Sequence, residues 1–293
     1  MSTVAVLGAA GATGPAIVRH LVECGEVDDV ALLDVAAERA EAIARAHGRG
    51  RATAAVVDGG DPDDLGDALR RAGASVLVNA APYRLNLAAM TGALDADCHY
   101  VDLGGLYDTT LRQADLHGQF AAAGLTAVLG VGASPGTTNL LAVRAAAELD
   151  RVDALHVAAA AADPEPARGL STPDAVETIL DQLTLPAVVV RGGRAGELPP
   201  RADGGEVVFP EPVGPRRAVY ARHCGLATFP ASFPGLRASS FRLALAPVQA
   251  RRLGLLVRCG LADPDPVRLA DGTWAVPRSV LTACLDRAGA AGP

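Results

Sequence analysis

Thr3-Val4-Ala5-Val6-Leu7-Gly8-Ala9-Ala10-Gly11-Ala12-Thr13-Gly14-Pro15 is the stretch that decides the fold. Its first five residues form a short apolar run, as a buried strand does. Pro15–Cys24 then reads as a helix, with Ile17, Val18, Leu21 and Val22 on one face and Pro15 at a favoured first-turn position. Between strand and helix the chain must turn sharply, and the glycines allow it. The free N–H groups at the helix start then face outward and suit a phosphate. Gly8, Gly11, Ala12, Thr13 and Gly14 are therefore candidates to hold the pyrophosphate of a dinucleotide. The spacing is G-x-x-G-x-x-G rather than the G-x-G-x-x-G fingerprint, so a purely structural turn is the competing reading.

The residues beyond the first helix support the nucleotide reading. Val30–Leu33 reads as a second strand that ends at Asp34, twenty residues after Gly14. A carboxylate there accepts hydrogen bonds from both adenosine ribose hydroxyls and repels a 2′-phosphate, which favours NAD over NADP. Arg39 lies close enough in sequence to soften that preference. Ala36–His47 reads as a helix and Ala54–Val57 as a third strand ending at Asp58. Asp58 can reach the adenine edge or cap the next helix, which opens at Asp61-Pro62-Asp63-Asp64 with acids where the helix dipole favours them. Val76–Val78 is strand four. It ends at Asn79-Ala80-Ala81-Pro82, whose small residues let the backbone approach the nicotinamide side of the cofactor. Leu87–Ala96, Leu106–Ala123 and Thr137–Leu149 read as helices, with strands at Tyr100–Leu103 and Ala127–Leu129. Strands alternating with helices predict a doubly wound parallel sheet of the Rossmann type over residues 1–150.

After residue 150 the rhythm changes. Asp163-Pro164-Glu165-Pro166 breaks the alternation, and Ala187–Val190, Val207–Phe209 and Phe241–Leu245 look like strands of a mixed or antiparallel sheet. Residues 151–293 are expected to form an α+β region for substrate binding and dimerisation.

Composition narrows the function classes. The chain has 293 residues, of which 50% are hydrophobic and only 3% aromatic, and a net charge of −7. The acidic balance disfavours a nucleic-acid surface, which needs clustered positive charge. The five cysteines form no C-x-x-C pair, so neither a metal site nor a disulfide framework is expected. No signal peptide is legible at the N-terminus, and no apolar run approaches the ~20 residues that span a bilayer. A cytoplasmic protein without membrane partners is the expectation.

Val78-Asn79-Ala80-Ala81-Pro82-Tyr83, His99-Tyr100-Val101-Asp102-Leu103-Gly104-Gly105 and Gly130-Val131-Gly132-Ala133-Ser134-Pro135-Gly136-Thr137-Thr138-Asn139 resemble the saccharopine dehydrogenase-like family. The resemblance is nearest to its lysine 6-dehydrogenase branch. It continues through Glu177–Thr184 and Ser232–Leu236 and covers roughly residues 3 to 260. It implies an NAD(P)-dependent oxidoreductase acting at a C–N bond of an amino acid, by amine oxidation or imine reduction, from a homodimer. A saccharopine- or carboxyspermidine-type reductive condensation is the alternative enzyme. A dinucleotide-binding regulator without turnover is the alternative from another class. Family members run on past the segment around Pro277–Leu285 to complete the first domain, so a shortened C-terminal end is expected here.

Hydride transfer asks the protein mainly for alignment and for proton management. Tyr83 can orient substrate or relay a proton, or be a rim tyrosine. Asp102, followed by the small Gly104 and Gly105, can act as base or hold a cationic amine, or serve a structural hydrogen bond. His99, three residues earlier on the same strand, faces the other way and is read as packing. Pro135, Gly136 and Thr137 open a helix whose N–H groups suit a substrate carboxylate, although Thr137 can equally be only its cap. In the second region, Arg222 suits a carboxylate and His223 suits proton transfer.

Overall fold

The computed structural model describes residues 2–160 and 176–290, without the side chains of 286–290. The Asp163–Pro166 break lies outside the described residues. Two compact units, Met1–Ala145 and Ala146–Pro293, make up the chain.

The first unit runs β1 (Thr3–Leu7), α1 (Gly14–Cys24), β2 (Asp29–Asp34), α2 (Ala37–His47), β3 (Ala52–Val56), α3 (Pro62–Ala72), β4 (Ala74–Asn79), α4 (Asn86–Asp95), β5 (His99–Asp102), α5 (Tyr107–Ala114), α6 (His117–Ala122), β6 (Ala127–Val128) and α7 (Thr137–Ala146). A 3-10 turn, Tyr83–Leu85, precedes α4. The sheet order is β3-β2-β1-β4-β5-β6 and every pairing is parallel. This is the doubly wound order, and it reverses direction beside β1, where such sheets bind their ligands. Each face of the sheet has its own core. Val6, Val30 and Leu32 pack with Val18, Val22 and Ile43 of α1 and α2. Ala5, Leu7, Leu33, Leu77 and Tyr100 pack with Leu65, Leu69, Ala89, Met90 and Phe120 on the other side. Alternation along β1 thus serves two helical layers, as a period of two requires.

One difference concerns the segment read as a single helix over 106–123. It breaks into α5 and α6 at Asp115 and Leu116. Gln113 and Phe120, seven residues apart, both face inward, Gln113 to a polar cluster and Phe120 to the core. Helix α7 ends at Ala146 rather than Leu149.

The second unit contains β7 (Ala154–Ala160), α8 (Val176–Thr184), β8 (Ala187–Arg191), β9 (Arg194–Leu198), β10 (Asp203–Val208), β11 (Pro215–Tyr220), α9 (Gly225–Ser232), β12 (Ala238–Ala244), α10 (Pro247–Arg258), the short pair β13 (Val267–Arg268) and β14 (Trp274–Ala275), and α11 (Pro277–Ala290). Its sheet is mixed. Strand β12 pairs with β7 in parallel along its whole length. Its other edge is shared, antiparallel, between β8 at Ala238–Ser240 and β11 at Arg242–Leu243. The buried pair Asp181–Arg278 ties α8 to α11. Among the described residues no helix is long and apolar enough to cross a membrane.

Candidate active site

The three glycines of the first turn serve three different needs. Gly8 has φ +76°, and a Cβ on it would lie 2.6 Å from the Ala81 nitrogen. The turns after β1 and β4 therefore lie back to back, joined by Ala80 N–H donating to Leu7 O at 2.8 Å. Gly14 begins α1 so close to the turn that a Cβ would meet Ala9 O at 2.1 Å. Gly11 faces outward, where only Gly8 O would approach a Cβ. Ala12 and Thr13 are exposed, and Thr13 makes no side-chain cap. The N–H groups of Ala12, Thr13 and Gly14 donate to no acceptor among the described residues. Uncapped donors at a helix start, with no Cβ over them, fit an anion such as a pyrophosphate.

Asp34 ends β2 with its carboxylate fixed by two backbone donors, Ala10 N–H to Oδ2 at 2.8 Å and Ala36 N–H to Oδ1 at 2.9 Å. Each oxygen keeps a second acceptor site, so the group can still take a ribose hydroxyl. Asp58 is exposed, and its Oδ1 accepts Gly60 N–H at 2.9 Å. The cap of α3 is Asp61, which receives Asp63 N–H and Asp64 N–H. Asp58 therefore shapes the β3–α3 turn. One residue missed from the sequence is Val35, directly after Asp34, whose side chain is 70% exposed. An apolar residue stranded in water beside the ribose position offers a contact for a base, and its place between strand and helix was the available signal.

Of the two readings of Asp102, a base or amine holder and a structural hydrogen-bonding group, its surroundings fit the second. It is 1% exposed. Oδ1 accepts Gly104 N–H at 2.8 Å and Gly130 N–H at 2.7 Å. Oδ2 accepts Gln113 Nε2 at 2.6 Å and Asn86 Nδ2 at 3.2 Å. With its acceptor sites taken, the carboxylate has no room for a substrate proton. Burial, then the Asp102 charge, push the Tyr100 phenol far above its ordinary pKa, so it stays neutral. Asn79, 1% exposed, joins the same cluster. Its amide nitrogen donates to Tyr100 Oη and Asn86 Oδ1, both at 3.0 Å, while its Oδ1 accepts Ala81 N–H at 3.0 Å. Asn79 thus holds the 80–82 turn by its side chain, against the Gly8 turn. Asn86 and Gln113, central to this cluster, are two further residues that sequence reading missed.

The same hub sets the neighbouring edge. Pro135 is buried against Gly104 and Gly130, where added Cβ atoms would lie 2.6 Å and 2.8 Å from its Cγ. Gly105 lies under Tyr83, with 3.1 Å between its hypothetical Cβ and the Tyr83 Cβ. Gly136 bridges to Gly132, and Thr137 N–H donates to Gly132 O at 2.9 Å, starting α7. Tyr83, Gly104, Gly105, Pro135, Gly136 and Thr137 thus collect along the carboxyl ends of β4, β5 and β6. Tyr83 is half-buried, and the Arg84 guanidinium sits 5.2 Å from its ring centroid. His99 Nδ1 accepts Thr126 N–H at 3.0 Å.

The two candidates of the second unit are committed within it. Arg222 is buried and donates to Pro186 O and Glu197 Oε1, both at 2.8 Å. Its charge is answered by Glu197 rather than left for a substrate carboxylate. His223 is 2% exposed, stacks on Phe241 with 3.8 Å between centroids, and accepts Gly225 N–H on Nδ1 at 3.1 Å. That nitrogen is thereby committed to the start of α9, and the ring packs in the interior. Among the described residues no cluster of His, Cys, Asp or Glu could hold a metal ion.

A parallel sheet in this order, with an anion-ready turn after β1 and a fixed carboxylate after β2, is a pyridine-nucleotide-binding oxidoreductase fold. The comparisons with known proteins agree. Residues 4–128 match the saccharopine dehydrogenase NADP binding domain, as the sequence motifs had suggested. Carboxynorspermidine synthases of Vibrio alginolyticus and Vibrio cholerae serotype O1 are each 24% identical, over 79% and 78% of this chain. The chain spans 58% and 57% of their lengths. Apo saccharopine dehydrogenase (L-Glu forming) from Saccharomyces cerevisiae shares the fold, with a TM-score of 0.67 and 16% identity over 92% of this chain and 60% of that one.

Proposed function

We propose that the protein is an NAD-dependent oxidoreductase acting at a C–N bond of an amino acid, in the manner of a lysine 6-dehydrogenase or an imine reductase. The observation that carries the reading is the anion-ready turn Gly8–Gly14, braced through Ala10 N–H by the Asp34 carboxylate. The nicotinamide, when bound, supplies or takes the hydride. The chain's residues do the rest. Ala12, Thr13 and Gly14 N–H groups receive the pyrophosphate, and Asp34 the ribose. A second negative charge on the ribose would face that carboxylate in a poorly solvated corner, which supports NAD even though the matching domain is named for NADP. The backbone of Ala80–Pro82 and the Pro135–Thr137 edge flank the substrate, and Tyr83 orients it or passes its proton. A homodimer in the cytoplasm belongs to the same proposal. Leu140, Leu141 and Val143 of α7, all exposed, offer apolar surface for it, and light scattering tests it.

Reductive condensation is the second reading, and the two carboxynorspermidine synthase relatives favour it. One assay set separates the two. The lead reading expects NAD reduction with lysine, ornithine or related diamines. Condensation expects NAD(P)H oxidation only when an amine and an aldehyde or keto acid are present together. Firm NADH binding with no turnover in either arm defeats both and leaves the non-catalytic regulator. For the cofactor, Asp34→Asn keeps an acceptor for Ala10 N–H while removing the charge. NADH affinity should fall relative to NADPH by about tenfold. An unchanged ratio would show that Asp34 does not face the ribose.

A further inference from the structure

The second unit holds a cavity of about 350 Å³ between β11, β12, α10 and the turn before β10. At the ~30 Å³ that a water-sized group occupies, it has room for about a dozen non-hydrogen atoms. Its walls are of two kinds. Val219, Leu243 and Leu245 make an apolar side, while Arg201, Arg217 and Arg258 bring positive charge, and no acidic residue lines it among the described residues. The three arginines are not equivalent. Arg217 is paired with Asp203 at 2.6 Å. Arg201 and Arg258 have no ion-pair partner among the described residues, and Arg201 Nε is buried without a hydrogen-bond acceptor. Both guanidinium groups close on one spot of α10. A Cβ on Gly254 would lie 3.3 Å from Arg258 Nη1 and 3.9 Å from Arg201 Nη1. A buried donor left without an acceptor costs stability, and so do like charges brought together.

The backbone adds a second, independent sign. Pro199-Pro200-Arg201-Ala202 is a tight turn closed by Ala202 N–H donating to Pro199 O at 3.0 Å. Arg201 occupies its third position with φ +56°. That position belongs to glycine by preference. A long side chain there is strained, and such strain marks a residue kept for its side chain.

We propose that this cavity binds a small organic acid, its carboxylate held between Arg201 and Arg258 and its apolar body lying on Val219, Leu243 and Leu245. All the residues that line the site belong to the second unit. The walls define the ligand class. The charge pair asks for one anionic group, the apolar side for a short hydrocarbon or ring, and the volume excludes anything much larger. Arginine forks suit a carboxylate in two-point contact.

Calorimetric titration of the full chain with hexanoate, hexylamine and inorganic phosphate tests it. Hexanoate should bind saturably, hexylamine not at all, and phosphate more weakly than hexanoate. Arg201→Gly should weaken hexanoate binding by about tenfold or more, with a melting temperature equal to or above that of the parent, because glycine relaxes the turn. Arg258→Gln should weaken binding similarly. The proposal is overturned if hexanoate gives no saturable binding, if hexylamine or phosphate binds as well, or if both variants bind like the parent. Displacement of hexanoate by NADH would also overturn it, because the acid would then sit at the Gly8–Gly14 turn.

Discussion

Replacing Asp102 by asparagine separates a catalytic carboxylate from a structural one. The backbone donors Gly104 N–H and Gly130 N–H cannot turn away, so the new amide oxygen must face them and the new NH₂ must face Gln113 and Asn86. Gln113 can rotate its amide to accept, at the loss of the long bond it takes from Asn86 Nδ2 at 3.4 Å. Asn86 cannot do so without losing its bonds from Asn79 Nδ2 and to Gly104 O. One charge-assisted bond is lost and one buried donor is stranded, about 3 kcal/mol together. For a protein of this size that is a fall of about 6–12 °C in melting temperature. Calorimetry with circular dichroism reads it, and NADH fluorescence should show weaker binding as the 79–82 turn loosens. A melting temperature within about 2 °C of the parent would refute the hub, since no surface carboxylate change is expected to exceed that. An abolished turnover rate in so stable a variant would return Asp102 to the role of base.

Gly8 and Gly25 share φ +76°, but only Gly8 is crowded, since nothing lies within 4 Å of a Cβ at Gly25. Gly25→Ala should cost about 1 kcal/mol from backbone strain alone, whereas Gly8→Ala should cost at least about 2 kcal/mol more and abolish NADH binding; equal losses in denaturant titration would contradict the close approach of the two turns. Cys24, Cys259 and Cys284 are exposed, while Cys98 and Cys224 are buried, so a chromogenic disulfide should titrate three thiols in the native protein and five after unfolding. Burial pushes the Cys98 thiol up to about 11 from 9.0. Its contribution to stability is therefore complete below pH 9 and lost as pH rises through about 11, and Cys98→Ala should flatten the alkaline fall of the melting temperature; a parallel fall in both proteins would count against it.

The sheet was legible because its signals are local. Thr3–Leu7, the glycine turn and Pro15–Cys24 carry strand, bend and helix within a few residues of one another, and Asp34 follows at the interval that the crossover demands. The roles of the polar residues were not local. Asp102 looked like a base at a strand end because its partners come from Asn86, Gln113 and Gly130, which only folding brings near. Arg222 looked available because Glu197, on β9, lies 25 residues away. The break at Asp115 carried no glycine or proline to announce it. Val35 showed nothing unusual in composition, and its place between strand and helix was its one sequence signal.

On the proposed reading Asp34 does two jobs with one carboxylate, and this constrains how the protein can be remade. A change of cofactor by a small apolar residue at position 34 would also unfasten Ala10 and slacken the loop that cradles the phosphates. If NAD is the cofactor proposed above, its exchange for NADP should therefore proceed through serine, threonine or asparagine at position 34. The positive charge for the extra phosphate would have to come from elsewhere, with Arg39 on α2 the nearest guanidinium in sequence.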